Sequence, residues 1–269
     1  MVQFRPKLAA LAEVLSVFGL MMLVIWILQI PPFSVWMLQT LRYRFLEYIL
    51  MMGIPIIILI LLRRDFTAYG LNLTNLGYHL QVAGIGFLPF LLISLGLNRF
   101  NWMAWQGSLY VSGIEVLALV FLAWVLRRQP AAAMAGVVAA LWLWAPGHVP
   151  PAQVFLPGRI LLSFVFYFFF AGPGEEIFYR GYIQSRLNQA FGKPYTFFGV
   201  NLGWGLVIAA LLFSLMHTLN TFNPLLGRFT LSFPWGLWTF FLALLFGFLR
   251  EKTRSVAASS ILHGVLNFF

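Results

Sequence analysis

Long apolar stretches separated by short polar connections dominate this sequence. Nine of them have spanning length or nearly so, and most connections carry Arg, Pro, Gly or Asn. They cover residues 8–30, 46–62, 77–97, 109–126, 131–147, 159–180, 198–220, 233–250 and 254–269. Because about 20 apolar residues in a helix cross the hydrocarbon core of a bilayer, the pattern predicts transmembrane helices. The fifth and ninth stretches are short, so we expect an all-α polytopic membrane protein with about eight to nine spans.

Composition supports the membrane assignment and excludes several other classes of protein. The 269 residues are 61% hydrophobic and 9% charged, whereas a soluble domain has about 25% charged residues. The net charge of +10 does not indicate nucleic-acid binding, because Lys and Arg accumulate in the cytoplasmic loops of membrane proteins. The chain has no cysteine, which excludes disulfides, thiolate metal ligands and a thiol nucleophile. The first apolar run is too long for a signal peptide, so we interpret it as a retained span.

The distribution of basic residues predicts the orientation in the membrane. With a cytoplasmic N-terminus and nine spans, twelve basic residues belong to the cytoplasmic side and five to the external side. The cytoplasmic set is Arg5, Lys7, Arg63, Arg64, Arg127, Arg128, Arg180, Arg186, Lys193, Arg250, Lys252 and Arg254. The external set is Arg42, Arg44, Arg99, Arg159 and Arg228. Because basic loops stay in the cytoplasm, we predict a multi-pass protein of the cell membrane with a cytoplasmic N-terminus.

Residues 171–186, AGPGEEIFYRGYIQSR, place charge directly after an apolar run. Two of the seven acidic residues, Glu175 and Glu176, are adjacent here, and ionisable residues within a span are usually functional. Glu176 and Arg180 are four residues apart, which allows an ion pair on one helix face. Glu175 lies about 100° further around the helix and is free to face another group. The Gly-Pro-Gly run at 172–174 predicts a kink, with its proline starting a helix whose first turn favours both carboxylates.

Two further polar pairs interrupt apolar stretches near the C-terminus. The sequence FSLMH ends at His217, and HGVLN runs from His263 to Asn267. Residues four apart share a helix face, so His263 and Asn267 lie on one face. Such a pair alone can simply link two helices through a hydrogen bond. Together with the glutamates and the arginine, however, these residues supply a proton acceptor, imidazoles and an amide donor, which are the groups that hydrolysis needs.

The three polar motifs resemble those of the CPBP family, the CAAX-protease and bacteriocin-processing intramembrane endopeptidases. GEEIFYRG is similar to the family's EExxxR motif, FSLMH to its FxxxH motif and HGVLN to its HxxxN motif. The motifs follow in the family's order within residues 165–269. The resemblance implies a helical membrane fold with a water-containing cavity, and hydrolysis of peptide bonds within or beside the bilayer. We therefore divide the chain into N-terminal helices of unassigned role, residues 1–155, and a catalytic helical core, residues 156–269.

Residue types and resemblance together suggest a mechanism. Glu175 is the candidate general base, and with His217 it would hold and deprotonate a water that attacks the scissile carbonyl. His263 and Asn267 would donate hydrogen bonds to the developing oxyanion. The second Glu and the Arg of the first motif would orient the helix and fix the charge beside the site. The expected partners are the lipid bilayer and a membrane-associated protein or peptide as substrate.

Other interpretations of the same residues stay open. Glu175, His217 and His263 are residue types that bind zinc with one position left open, so metal-assisted hydrolysis is an alternative to the metal-free mechanism that we favour. The HExxH signature of soluble zinc proteases is absent, and we expect no cofactor. The chain could instead be a non-enzymatic immunity or scaffold protein of the same fold. A proton-coupled transporter that uses the carboxylate and the histidines as a relay is a third class.

The candidate residues can form one site only if His217, in the seventh apolar stretch, lies at the same depth in the membrane as the others. If this span begins at Phe198, His217 lies about 10 Å from the other candidates along the membrane normal. The conflict disappears if residues 194–203 form an interfacial segment and the span begins near Trp204. The sequence therefore predicts a break in the helical structure before Trp204.

Overall fold

The computed structural model describes residues 4–97, 101–128 and 157–268, and almost all of its regular structure is helical. We number the helices in chain order as α1 (Phe4–Leu28), α2 (Phe33–Leu41), α3 (Phe45–Leu61), α4 (Leu76–Leu97), α5 (Trp105–Arg128), α6 (Gly158–Phe191), α7 (Trp204–Thr218), α8 (Phe233–Thr253) and α9 (Ala257–Phe268). Two antiparallel hairpins, β1–β2 (Tyr195–Phe197 and Val200–Leu202) and β3–β4 (Phe222–Asn223 and Arg228–Phe229), flank α7. The predicted all-α class is confirmed, with these two short hairpins as an addition.

Several of these helices can cross a bilayer. Among the described residues, α1, α5, α6, α8 and the segment Trp204–Thr221, which extends α7, are long and apolar enough to span, and α2 with α3, bent by 107°, would make a sixth span. The count of eight to nine spans is not confirmed. The fifth predicted stretch, 131–147, lies outside the described residues, and α9 has 12 residues, fewer than the roughly 20 that a span needs.

Two buried apolar clusters join the N-terminal helices to the C-terminal ones. In the first, α1 and α3 pack on α6 and α7, as in the contacts around Val14, Met51 and Phe178. In the second, α4 and α5 pack on α8 and α9, with Leu122 and Leu262 among the buried residues. The C-terminal helices, which carry the polar motifs, are therefore packed against N-terminal helices that carry no such motif. The boundary predicted at residue 155 lies outside the described residues.

The helices run between two ends of the bundle that differ in charge. At one end, where α1 begins and α3, α6 and α8 end, contacts such as Arg186 Nε to Glu13 Oε2 (2.8 Å) join the helices. At the other end, α1 and α7 finish, and Ser108 Oγ donates to the carbonyl oxygen of Pro234 at 2.6 Å. The first end, hereafter the basic end, carries Arg5, Lys7, Arg63, Arg64, Arg127, Arg186, Lys193, Arg250, Lys252 and Arg254. The second, hereafter the opposite end, carries Arg42, Arg44, Arg159 and Arg228 among the described residues.

Helix α6 carries the two adjacent glutamates and is continuous. The prediction that a new helix starts at Pro173 is wrong, because the residues before it are already helical. Instead, π-helical turns over Phe166–Ala171 and Ile177–Gln184 lie on either side of the glutamates. Proline has no N–H to donate, and a change of hydrogen-bond pattern beside it keeps the chain helical. The glutamates therefore do not sit at a free helix N-terminus, and π-helical turns of this kind often mark functional sites.

The segment before α7 is not helical, as the sequence predicts. Residues 195–202 form the β1–β2 hairpin, and α7 begins at Trp204. The predicted break is confirmed, and it shifts the depth of His217 towards that of the other candidate residues.

Candidate active site

The predicted ion pair between Glu176 and Arg180 is present and fully enclosed. Arg180 Nη1 lies 2.9 Å from Glu176 Oε1, and the two side chains are 1% and 0% exposed. The guanidinium lies over the ring of Phe213, 4.5 Å from its centroid, and 5.2 Å from the centroid of Phe246. Its Nη2 donates to the carbonyl oxygen of Ala243 at 3.3 Å. A buried charge needs such compensation, and here a carboxylate, a carbonyl and two aromatic faces provide it.

His263 links the two glutamates. Its Nδ1 lies 3.0 Å from Glu176 Oε1, and its Nε2 lies 3.5 Å from Glu175 Oε2. An ionised carboxylate only accepts hydrogen bonds, so the contact with Glu176 places a proton on Nδ1. The imidazole also stacks on Phe246, with ring centroids 4.9 Å apart and planes inclined by 20°. His263 of the HGVLN motif is therefore oriented directly by Glu176 of the GEEIFYRG motif.

Close approach of α6 and α9 makes this contact geometrically feasible. A methyl group at Gly172 would lie 2.6 Å from the carbonyl oxygen of Ser260 on α9. A methyl group at Gly264, directly after the histidine, would lie 3.1 Å from the carbonyl oxygen of Tyr167 on α6. Both positions need glycine because backbone meets backbone. Gly172 thus allows the close packing of α6 on α9, and the predicted kink at residues 172–174 stays a prediction.

His217 reaches the site from α7. Its Nδ1 lies 2.9 Å from the carbonyl oxygen of Phe213, which can only accept, so the proton of a neutral ring sits on Nδ1. The Nε2 lone pair is then available to accept a hydrogen bond. The ring of Trp235 lies beside it, with centroids 5.4 Å apart.

A cavity of about 180 Å³, hereafter the Glu175 cavity, brings two of the candidates together. Glu175 and His217 both line it, together with apolar side chains such as Met51 and Met216. Its lining includes Asn220, which is exposed just after the end of α7, and Arg44, just before α3. The cavity therefore lies towards the opposite end of the bundle, away from the basic end.

The N-terminal helices contribute charged groups to this cavity that the sequence did not reveal. Arg44 and Glu47 line it and form an ion pair, with Nη1 3.6 Å from Oε1. Tyr48 also lines the cavity. It packs on α6, since a methyl group at Gly174 would lie 3.1 Å from the Tyr48 carbonyl oxygen. The only signal in the sequence was the spacing of three between Arg44 and Glu47, which indicates pairing but no site.

Asn267 differs from the other candidate residues. It is exposed in the last turn of α9 and is not among the side chains that line the Glu175 cavity. The spacing of four does place it on the same side of the helix as His263, but about 6 Å further along the axis. The lining of the Glu175 cavity thus includes Glu175 and His217 but neither His263 nor Asn267, and the catalytic roles of all four residues stay predictions.

The candidate zinc ligands do not form a metal-binding group. Within the described residues, no set of three or more His, Asp or Glu side chains has the arrangement of a metal site. The two nitrogens of His263 are directed at Glu176 and Glu175, so neither is open towards a metal shared with His217. We therefore derive no step of the chemistry through a metal ion.

Comparison with known proteins identifies the region that carries these residues. Residues 157–269 match the family described as Type II CAAX prenyl endopeptidase Rce1-like. The match confirms the resemblance to the CPBP and CAAX proteases for this part of the chain. It covers all three polar motifs and the helices α6 to α9. No significant match was found among curated proteins or among solved structures.

Proposed function

We propose that this protein is an intramembrane endopeptidase that hydrolyses a peptide bond of a membrane-associated protein or peptide by a glutamate-activated water. The observation that carries the proposal is that Glu175 and His217 line one cavity, while His263 lies between the two glutamates. The family match to residues 157–269 supports a CAAX-type protease. The same arrangement without measurable hydrolysis would instead support a non-enzymatic protein of this fold.

Two groups at the cavity can accept hydrogen bonds from one water. Glu175 lines the cavity, and its carboxylate can accept a hydrogen bond there. The Nε2 of His217 carries a lone pair, because Nδ1 is the protonated nitrogen. A water that donates one hydrogen to each is held and polarised, and its oxygen is free to attack the scissile carbonyl. Glu175 takes the proton in this step.

His263 is placed to receive that proton. Its Nε2 is 3.5 Å from Glu175 Oε2, while Glu176 holds the proton on Nδ1. After the transfer, the ring is an imidazolium held between the carboxylates of Glu176 and Glu175. Returning the proton through Glu175 to the leaving amine restores the starting state. In this proposal His263 relays a proton, in place of the oxyanion role predicted from the sequence.

Glu176 and Arg180 support the site without touching the substrate. Glu176 shares its Oε1 between Arg180 and His263, at 2.9 and 3.0 Å. The arginine neutralises the charge of the carboxylate in the protein interior, and the carboxylate in turn fixes the imidazole. These contacts are the basis for assigning both residues a positioning role.

The orientation of the chain determines the side from which a substrate arrives. The basic end carries most of the Lys and Arg residues, which supports a cytoplasmic location for this end and the N-terminus. The Glu175 cavity lies towards the opposite end, and its lining includes Arg44 and Asn220. We therefore propose that substrates enter from the non-cytoplasmic half of the bilayer, with an apolar side chain against Met51 and Met216.

The proposal is tested with purified protein in liposomes and a panel of membrane-inserted peptides. Mass spectrometry of the products should reveal a single new N-terminus within an apolar segment. The reaction is repeated with a metal chelator, and the metal-free mechanism predicts an unchanged rate. Loss of activity with the chelator, restored by zinc, would support the metal-assisted alternative. No cleavage of any peptide under either condition would contradict the assignment as an endopeptidase.

A further inference from the structure

A second cavity lies at the basic end, on the side away from the Glu175 cavity. It has a volume of about 430 Å³, and we call it the basic cleft. Four of its lining residues are cations: Lys193, Arg250, Lys252 and Arg254. The β1–β2 hairpin contributes Val200 and Asn201 to one wall, and the end of α8 supplies the other. The acidic residue among the lining side chains is Glu251.

The inner part of the cleft is held in place by hydrogen bonds. Glu251 Oε1 accepts from Gln184 at 2.7 Å, from Asn188 at 2.9 Å and from Arg250 at 3.2 Å. Its other oxygen, Oε2, pairs with Lys193. Arg250 also donates to the hydroxyl of Ser185 at 2.6 Å. The carboxylate thus has a full set of donors, and the buried guanidinium is fixed without help from a ligand.

The charges in the cleft do not balance. One carboxylate is shared by Lys193 and Arg250, which already leaves one positive charge in excess. Lys252 and Arg254 have no acidic partner among the described residues, and Arg254 is exposed. The cleft therefore carries an excess of three positive charges within a small volume beside the membrane-spanning helices. Concentrated positive charge of this kind attracts anions.

We propose that the basic cleft binds a phosphate group, as found in the headgroup of an anionic phospholipid. Guanidinium and ammonium groups around one concavity match the several acceptor oxygens of a phosphate. Basic pockets at the cytoplasmic ends of transmembrane helices are suited to such headgroups, because the cytoplasmic leaflet is rich in anionic lipids. The same chemistry would take a soluble phosphate, so the test must distinguish the two sources.

Native mass spectrometry of the full-length protein in micelles with phosphatidylglycerol tests the proposal. The cleft variant combines Lys252→Gln and Arg254→Gln. The matched control combines Arg5→Gln and Arg63→Gln, which removes the same charge from exposed positions at the same end. Bound lipid should fall on the order of tenfold to thirtyfold in the cleft variant and remain at the wild-type level in the control. Equal losses in both variants, or no retained lipid in the wild type, would overturn the proposal.

Two further arms identify the source of the phosphate and check the fold. Inorganic phosphate is added to the wild-type protein, and a lipid site predicts that it does not displace phosphatidylglycerol at millimolar concentration. Displacement would show that the cleft takes free phosphate, and phosphatidylcholine bound equally well would contradict any anion specificity. Thermal unfolding of the cleft variant without lipid should match the wild type, because neither substituted side chain holds the buried network. These results are independent of peptide hydrolysis.

Discussion

The Nδ1 atom of His263 lies 3.0 Å from Oε1 of Glu176, although the two residues are 87 positions apart in the chain. This contact joins the last helix to the helix that carries both glutamates. It also separates the roles of the two carboxylates, because Glu176 is occupied by His263 and Arg180 while Glu175 faces the cavity.

The pair Glu176–Arg180 should contribute mainly to stability. Glu176→Gln leaves a buried guanidinium without its counter-charge, and breaking a buried ion pair costs about 3–5 kcal/mol. Arg180→Gln should lower the yield and the thermal stability in the same way. The double variant should be less affected than the sum of the two, because both single changes remove the same interaction.

Thermal unfolding in detergent measures the stability loss of the two single variants and the double variant. Arg64→Gln is a suitable comparison with a smaller expected loss, because its partner Glu13 is more exposed than Glu176 and keeps its contacts with Arg186 and Tyr182. Additive losses at Glu176 and Arg180 would show that the two residues do not act as a pair.

The glycine at position 172 should be essential for the geometry of the site. Gly172→Ala forces a methyl group against the Ser260 carbonyl, and overpacking of this kind costs about 1–3 kcal/mol. Because α9 must move away, the contact between His263 and Glu176 should lengthen and hydrolysis should fall by at least about tenfold. Activity and thermal unfolding are measured on the same preparation.

Gly158→Ala is the matched control on the same helix. A methyl group there meets nothing within 4 Å, so stability and activity should stay at the wild-type level. If Gly172→Ala were as active as Gly158→Ala, the close approach of α6 and α9 would not govern catalysis.

The absence of cysteine from the chain makes orientation directly measurable. Asn220→Cys places a thiol at an exposed residue of the cavity lining, and Arg254→Cys places one at the basic end. A membrane-impermeant maleimide added to intact cells should label the first and not the second. Reversed labelling would mean that the N-terminus is external and that substrates enter from the cytoplasm.

Local features of the site could be predicted from the sequence, and long-range ones could not. The pairing of Glu176 with Arg180 follows from a spacing of four on one helix, and the break before Trp204 follows from the depth that His217 needs. The link between His263 and Glu176 depends on how α9 packs on α6, which no periodicity encodes. Arg44 and Glu47 precede Glu175 by more than 120 residues, and only the tertiary structure places them at the cavity.

Two expectations differ from the structure for physical reasons. Pro173 does not start a helix, because π-helical turns on both sides accommodate the missing N–H. Asn267 shares a face with His263 but lies one turn further along, where it is exposed. The ninth apolar stretch, which is short in the sequence, forms a helix of 12 residues, α9, as its length indicated.

The most direct test compares Glu175→Gln with wild-type protein in water enriched in ¹⁸O, using a cleaved membrane peptide as substrate. The wild type should incorporate one ¹⁸O atom into the new carboxylate during cleavage. Glu175→Gln should accumulate and unfold like the wild type, but its rate should fall by at least about 10², the contribution of a general base. A fully active Glu175→Gln variant, together with a well-folded but inactive Glu176→Gln variant, would contradict the central claim that Glu175 activates the water.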